Sequence, residues 1–349
     1  MRNNKYKVGI VGTGHIANSF HIPAWKKNKF SELVSLCDVD KKKLKIVSKK
    51  FNIQTIYTNV EKMINEEKLD ILCICTPPYL HYKNILKGIK YNCDIFVEKP
   101  LVIKDQEALN LIKLAKEKNI NCVCAMHQRY RPISKEIKKI LDKKILGKVY
   151  YIKIIKHQSN GIPTQSRVFS NKKQSGGGPL IDIGTHYFDL ICWYLNFPKV
   201  RNVKAKNFNN LSKLGKKWKK ILPFKTFNSE EFATGNINFK NNISINYEIS
   251  YLLNIKKNKT MIQIFGDKGS VTWPDGELLL RGKNGKLEKT KIKIKKTKKA
   301  SQMQVDSFVE GKIKKTKTLK GLKESYYIVK LVNALYKSAL TNLEVSYEK

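Results

Sequence analysis

The sequence predicts an α/β protein in two parts: an N-terminal doubly wound parallel sheet, then an α/β domain on an open, mostly antiparallel sheet. Three observations lead there. From Lys5 to about Met126, short apolar bursts alternate with amphipathic stretches. After about Arg129, strand candidates follow one another with few helices between them. A glycine-rich turn closes the first burst. Strands so apolar, separated by helices, suit a parallel sheet covered on both faces, whereas runs of strands suit an antiparallel sheet with helices on one side.

Taken in order, the front bursts are Tyr6–Val11, Leu33–Cys37, Ile71–Cys75, Ile95–Val97 and Cys122–Ala125. Between them, Lys41–Phe51, His81–Lys90 and Gln106–Lys118 repeat apolar residues at three- and four-residue spacing, as amphipathic helices do. Behind, Val149–Lys156 reads as a strand and Pro179–Leu195 as a helix. Strands then follow at Phe232–Phe239, Ile243–Tyr251, Thr260–Phe265, Ser270–Trp273 and Leu278–Leu280, with Asn241-Asn242 and Asp267-Lys268-Gly269 as turns. Asn207–Thr226 reads as a long basic loop, and a helix over about 322–340 closes the chain. The expected division is a dinucleotide-binding domain over 1–128 and a substrate-binding and oligomerisation domain over 129–349.

The 349 residues suffice for two domains with real cores and no disulfide or metal staple. Lys+Arg 69 against Asp+Glu 28 gives +41, a balance that would suit a nucleic-acid binder. Yet the lysines are spread in pairs such as Lys49-Lys50, Lys143-Lys144 and Lys216-Lys217. Only Lys291 to Lys317 is concentrated, and there Lys291-Ile292-Lys293-Ile294-Lys295 alternates like a strand with one wet face. Solvated surfaces that attract anionic ligands account for this pattern, and no specific nucleic-acid partner is expected. No apolar run approaches the ~18 residues of a membrane span. The N-terminal apolar stretch stops at Gly12, too short for a secretion signal, so a cytoplasmic protein with no membrane partner is expected. Cys73 and Cys75, like Cys122 and Cys124, are two apart and point to one face of a strand. Without CxxC spacing or a histidine cluster they read as buried reduced thiols, and no metal site is expected.

Four motifs carry chemistry. Gly12-Thr13-Gly14-His15-Ile16-Ala17 follows the first strand and opens a helix. Gly12 permits the tight turn, Gly14 lets a pyrophosphate reach the backbone, and Ala17 lets helix and strand pack closely. The helix N-terminus adds free N–H groups for the phosphates. Asp38 ends the next strand, where a carboxylate accepts bonds from ribose hydroxyls and repels a 2′-phosphate; capping the following helix is the alternative. This favours NAD, with NADP left open because Lys41-Lys42-Lys43 is adjacent. Thr76-Pro77-Pro78 with His81, and Glu98-Lys99-Pro100, follow later strands in the same row, where ligands lie in such sheets. A lysine there is a usable proton donor or acceptor near the nicotinamide. In Gly176-Gly177-Gly178-Pro179-Leu180-Ile181-Asp182-Ile183-Gly184-Thr185-His186, the glycines read as a flexible, open entry to a helix. Asp182 and His186 then share one helical face, which fits acid–base work. A structural polar pair, or two metal ligands lacking a third, stay open for that segment.

The ordered set GTGHIA, TPPYLH, EKP and GGGPLIDIGTH resembles the Gfo/Idh/MocA family of NAD(P)-dependent oxidoreductases. Glu230-Glu231-Phe232 and the turn Phe265 to Ser270 carry the resemblance to the later part of the chain. It implies a Rossmann domain followed by an α/β domain whose open sheet forms a homodimer or homotetramer interface. It implies catalytic roles for Lys99, Asp182 and His186, with an unusual peptide geometry at Lys99-Pro100 beside the nicotinamide. The cofactor residues on this reading are Gly12, Thr13, Gly14, His15, Ile16, Asp38, Thr76, Pro77, His81, Glu98, Lys99 and Gln128. Arg129, with Arg131 beside it, is either a fork for an anionic substrate or half of an ordinary salt bridge. His157 and Arg167 are candidates for the substrate side, although no aromatic residue precedes Arg167 as the family often has. His21 is expected as a first-helix residue at the domain edge. The expected reaction passes a hydride between the nicotinamide and a secondary alcohol or ketone of a sugar or polyol. His186 moves the hydroxyl proton, Lys99 bonds the same oxygen, and Asp182 orients the substrate or the ring. A glycosidase using transient oxidation and a non-catalytic dinucleotide-bound regulator are the alternatives.

Overall fold

A computed structural model describes residues 5–163, 167–211, 227–295, 297–314 and 319–347, with only the backbone at Arg167. Its contacts divide the chain into two units, 1–127 with 298–329, and 128–297 with 330–349.

The first unit holds six parallel strands: β1 (Tyr6–Val11), β2 (Ser31–Cys37), β3 (Thr55–Tyr57), β4 (Ile71–Ile74), β5 (Asp94–Val97) and β6 (Cys122–Cys124). Their order is β3-β2-β1-β4-β5-β6, so the chain switches direction between β1 and β4. The connecting helices are α1 (Ile22–Lys27), α2 (Lys41–Phe51), α3 (Val60–Glu67), α4 (His81–Lys90) and α5 (Asp105–Glu117). Side chains alternate between two cores. Ile71 and Cys73 of β4 join Val8, Ile10, Leu36 and Phe96, while Leu72 and Ile74 join Val11, Ile95 and Val97 on the other face. Helix ends follow local chemistry: Asp40 accepts from the Lys43 N–H at 3.1 Å to start α2, and Asn52, at φ 52°, ends it.

In the second unit, α6 (Pro132–Asp142), α7 (Lys172–Ser175) and α8 (Thr185–Tyr194) accompany a nine-stranded sheet. The strands are β7 (Val149–His157), β8 (Val200–Phe208), β9 (Phe232–Phe239), β10 (Ser244–Ser250), β11 (Lys259–Gly266), β12 (Gly269–Trp273), β13 (Glu277–Arg281), β14 (Leu287–Lys291) and β15 (Val345–Ser346). Their order is β14-β13-β12-β11-β7-β10-β9-β8-β15, and only the β7–β10 pair is parallel. Ile245, Tyr247 and Ile249 of β10 are buried, and Phe188 of α8 meets Tyr247 edge to face at 5.1 Å. On the other face Asn238 donates to Asn202, and Ser244 accepts from Asn236, a polar ladder across β8, β9 and β10.

Several expectations need correction. The segment 298–329, expected in the second domain, packs with the first unit. Within it, α9 (Ala300–Ile313) places Val305, Phe308 and Val309 in the core with Trp25 and Phe96. Lys312 of α9 pairs with buried Asp94 at 2.6 Å, and Asp306 accepts from Asn28 at 2.9 Å. α10 (Lys320–Thr341) is divided between the two units at Val329. The Lys-rich alternation does not continue as a strand: β14 ends at Lys291, and the Ile292 N–H bonds Gly276 instead. The helix expected over Pro179–Leu195 begins as a wider π turn, Leu180–Gly184, before α8. Of the loop expected over Asn207–Thr226, β8 takes the first residues, and 212–226 lie outside the described residues.

Candidate active site

In the first unit the glycine turn leaves β1 at the switch point. Gly12 sits at φ +89°, and a Cβ there would lie 2.7 Å from the Cys75 carbonyl, so only glycine fits. Gly14 is open: among the described residues, the only atom near its Cβ position is Lys43 Nζ, at 3.9 Å. Asn18, which the sequence reading passed over, donates from Nδ2 to the Thr13 and Gly14 carbonyls at 2.8 and 2.9 Å and fixes the turn. His15 and Ile16 are exposed at the start of the helix beyond it. A free backbone face at Gly14 beside a helix N-terminus is what a pyrophosphate requires, so the residues present fit the dinucleotide.

Asp38 stands beside this turn. Its Oδ2 accepts from the Thr13 N–H at 2.7 Å and the Thr13 hydroxyl at 2.8 Å, with Lys43 Nζ at 3.4 Å. Its Oδ1 accepts from the Asp40 N–H at 3.0 Å. Burial pushes the carboxyl up, but these bonds and Lys43 hold it below its ordinary value, hence ionised at neutral pH. Asp40, not Asp38, caps α2, which removes the capping alternative for Asp38.

The loops after β4 and β5 are stitched together. The His81 ring is fully buried, with Nδ1 2.7 Å from the Pro100 carbonyl and Nε2 2.9 Å from the Thr76 carbonyl. This corrects its expected place among cofactor-binding residues: both nitrogens meet backbone, so the ring positions Thr76 and Pro100. Thr76 and Pro77 are half-buried, and the Thr76 hydroxyl accepts from Asn84 at 3.3 Å. Lys99-Pro100 is a cis peptide bond, as the resemblance implied, and Lys99 is half-buried. Glu98 lies against His21, whose Nε2 is 2.5 Å from Glu98 Oε1. Its other oxygen accepts from the Lys99 N–H at 3.1 Å. Burial pushes the Glu98 carboxyl up, but the His21 bond and charge, with the charges of Lys99 and His127, together bring it down to about 2, so the pair is a charge-assisted bond in the protein interior. His21 is therefore a buried partner of the EKP segment and not a peripheral helix residue.

In the second unit the run Gly176–Gly178 is not the open entry expected. A Cβ on Gly178 would lie 2.0 Å from the Glu230 carbonyl oxygen, so the glycines allow close packing. Glu230, buried, accepts at a single oxygen from the Gly178 N–H (2.9 Å), the Leu180 N–H (3.2 Å) and the Tyr336 hydroxyl (2.7 Å). Asp182, in the π turn, accepts from the Tyr251 hydroxyl at 2.5 Å. Burial and then the Asp182 charge raise the Tyr251 hydroxyl well above its ordinary value, so it remains a donor. His186 is half-buried in the first turn of α8. Asp182 thus has its orientation set by a tyrosine that sequence spacing alone did not reveal.

The remaining candidates are also placed. Arg129 donates from Nε and Nη2 to the two oxygens of buried Asp189, at 2.7 and 2.5 Å, and lies over the Phe197 ring. That is the salt bridge held open for it, and its fork is taken. Arg131 lies over Trp273 and donates to half-buried Gln128 at 3.5 Å. His157, at the end of β7, meets Glu248 at 2.8 Å. The Arg167 side chain lies outside the described residues. Among the described residues, no helix is long and apolar enough to cross a membrane.

Comparison with known proteins agrees with this geometry. The model of an oxidoreductase family with an NAD-binding Rossmann fold, GFO_IDH_MocA, matches residues 6–126, and the GFO/IDH/MocA C-terminal domain matches 134–272. The chain is 26% identical over 348 residues to D-glucoside 3-dehydrogenase of Escherichia coli (strain K12), covering 99% of this chain and 98% of that protein. Levoglucosan dehydrogenase, solved with NADH and L-sorbose, shares the fold at a TM-score of 0.84 and 17% identity, over 99% of both chains. Aldose-aldose oxidoreductase from Caulobacter crescentus, complexed with glycerol, does so at a TM-score of 0.82 and 20% identity, over 98% of this chain and 100% of that one. With both domains matched in order, over more than half its length, this NAD(P)-dependent oxidoreductase belongs to the Gfo/Idh/MocA family.

Proposed function

We propose that the protein is a dehydrogenase or reductase acting on a secondary alcohol, or its ketone, in a sugar, polyol or sugar derivative. The observation that carries this reading is the open Gly14 turn with an ionised Asp38 bonded to Thr13 beside it. That pairing favours NAD over NADP, because the carboxylate repels a 2′-phosphate. The relative that acts on D-glucosides, matched along nearly the whole chain, supports the substrate class.

Bound NAD(P) supplies a hydride acceptor or donor. Gly14, His15 and Ile16 would hold the pyrophosphate, with Gly12 and Thr13 shaping the turn beneath it, Asp38 would hold the ribose, and Thr76, Pro77, Glu98, Lys99 and Gln128 would serve the nicotinamide end. His186 takes the hydroxyl proton, Lys99 donates to the same oxygen and stabilises its developing charge, and Asp182, held by Tyr251, orients the substrate. His157 and Arg167 serve the substrate side. Assembly as a homodimer or homotetramer through the open sheet, and a cytoplasmic location, belong to the same reading.

A panel of polyols, free sugars, glucosides and nucleotide sugars, read by NADH and NADPH absorbance, tests it. We expect turnover on part of the panel, and a loss of ~10²–10⁴-fold in Lys99→Ala and His186→Ala with dinucleotide binding retained. No turnover with either cofactor, or unchanged turnover in both variants, overturns it. The glucoside-acting relative favours one second reading, transient oxidation that leads to glycoside cleavage. Protein purified with stoichiometric NAD, inert toward free alcohols yet cleaving glycosides, would establish that reading instead.

A further inference from the structure

Beneath the glycine turn, the end of β4 and the first helix bring together three soft donors that sequence spacing keeps apart. Cys73 Sγ and Cys75 Sγ are 3.8 Å from one another. Ligand atoms of Cys73, Cys75 and His21 all lie within 4.8 Å of one another. Two thiolates bound at ~2.3 Å by one tetrahedral zinc are about 3.8 Å apart, so the sulfurs already stand at the spacing such an ion imposes. The imidazole is prepared as well. His21 Nε2 is taken by Glu98 at 2.5 Å, while its Nδ1, fully enclosed, has no nitrogen or oxygen partner among the described residues, and the ring interacts with the Cys73 thiol.

We propose that His21 Nδ1, Cys73 Sγ and Cys75 Sγ form a binding site for a thiophilic cation of the zinc class, with Glu98 as the carboxylate that orients the histidine. A carboxylate on the far nitrogen of a metal-ligating histidine is the usual outer partner of such sites, fixing the tautomer and raising ligand basicity. Sulfur donors with one imidazole select zinc or copper(I) over the hard cations magnesium and calcium. Other thiols in this unit are placed differently: Cys93 donates to the Leu69 carbonyl and Cys124 to the Glu98 carbonyl. Cys73 and His21 are buried while Cys75 is half-buried. The fourth position falls to water. Occupied, the site ties the end of β4 to the first helix and, through His21 and Glu98, to the backbone of Lys99.

The test uses the full chain, reduced and freed of metal with a chelator, titrated with Co²⁺ alone and then Zn²⁺ alone. We expect one equivalent of Co²⁺ to give thiolate-to-cobalt absorption and tetrahedral visible bands, displaced by one equivalent of Zn²⁺. Cys73→Ala and Cys75→Ala each reduce the thiolate band, and Glu98→Gln weakens binding by about 10–100-fold. Cys122→Ala leaves the titration unchanged. On the unmutated protein, one equivalent of Zn²⁺ slows alkylation at Cys73 and Cys75 but not at Cys122, so the proposal stands or falls even where a variant fails to fold. Absence of a one-equivalent thiolate band in the unmutated chain overturns it, as does a band that survives in the Cys73→Ala, Cys75→Ala double variant.

Discussion

Glu230→Ala removes the acceptor around which the glycine turn of the second unit is built. The carboxylate oxygen receives two buried backbone N–H groups and the hydroxyl of half-buried Tyr336. Each donor left without a partner costs about 1–3 kcal/mol, so the three together amount to roughly 3 kcal/mol or more after water enters the new space. Tyr336→Phe breaks one bond to a carboxylate and leaves the two backbone bonds, for about 1.5–3 kcal/mol. Glu230→Gln keeps an oxygen acceptor and should cost less than either. Urea unfolding gives the energies, and hydrogen exchange at the Gly178 and Leu180 amides reports the site itself. An Ala variant within about 1 kcal/mol of the unmutated protein, with those amides still protected, would refute the assignment. A pH dependence follows as well. Burial raises the Glu230 carboxyl above its ordinary 4.5 against the bonds it accepts, so the folded state holds the proton more tightly than the unfolded chain. Its contribution is therefore complete below about 4.5 and declines as pH rises through the folded value. The stability of the unmutated protein relative to Glu230→Gln should grow on acidification from neutral pH.

Three further outcomes are expected. Gly12→Ala meets the Cys75 carbonyl at 2.7 Å and the Thr76 nitrogen at 2.8 Å from a left-handed backbone; strain on the order of 1–3 kcal/mol should lower the melting temperature and weaken NAD binding in a fluorescence titration. Arg129→Ala takes two guanidinium bonds from buried Asp189 and should destabilise by about 3–5 kcal/mol in urea, far more than loss of an exposed substrate contact. Asp38→Ser removes the charge that faces a 2′-phosphate, and the NAD-to-NADP affinity ratio should fall by about tenfold or more, the equivalent of one charge-assisted bond; equal affinity of the unmutated protein for both cofactors would remove Asp38 from that role.

Legibility in the sequence followed the range of the interactions. β1, β2, β4 and β5 announce themselves because a strand buried on both faces is rich in apolar residues, and the turn after β1 because close backbone approach admits only glycine. β3, with three half-buried residues, carries no such signal. α9 was missed because Gln302 and Gln304 are buried alongside Val305 and Phe308, which blurs the apolar stripe. The same holds at the site. Asp38 is readable from its distance to the glycines, whereas the hold of Glu230 on Gly178 spans 52 positions and that of Tyr336 on Glu230 spans 106. A histidine opening a helix behind a ligand loop, as His81 does, looks the same in sequence whether its ring faces the ligand or the backbone.

The return of α9 to the first unit bears on how the chain is made. Trp25 and Phe96 complete their aromatic cluster with Phe308, at ring separations of 6.2 and 5.3 Å. A ribosome releases the six parallel strands long before it reaches that phenylalanine, so the nascent dinucleotide domain waits with an indole and a phenyl ring uncovered until α9 has been made. A recombinant fragment stopped at residue 128 would stay in that unfinished state and should aggregate, whereas splicing 298–329 behind it restores the missing wall.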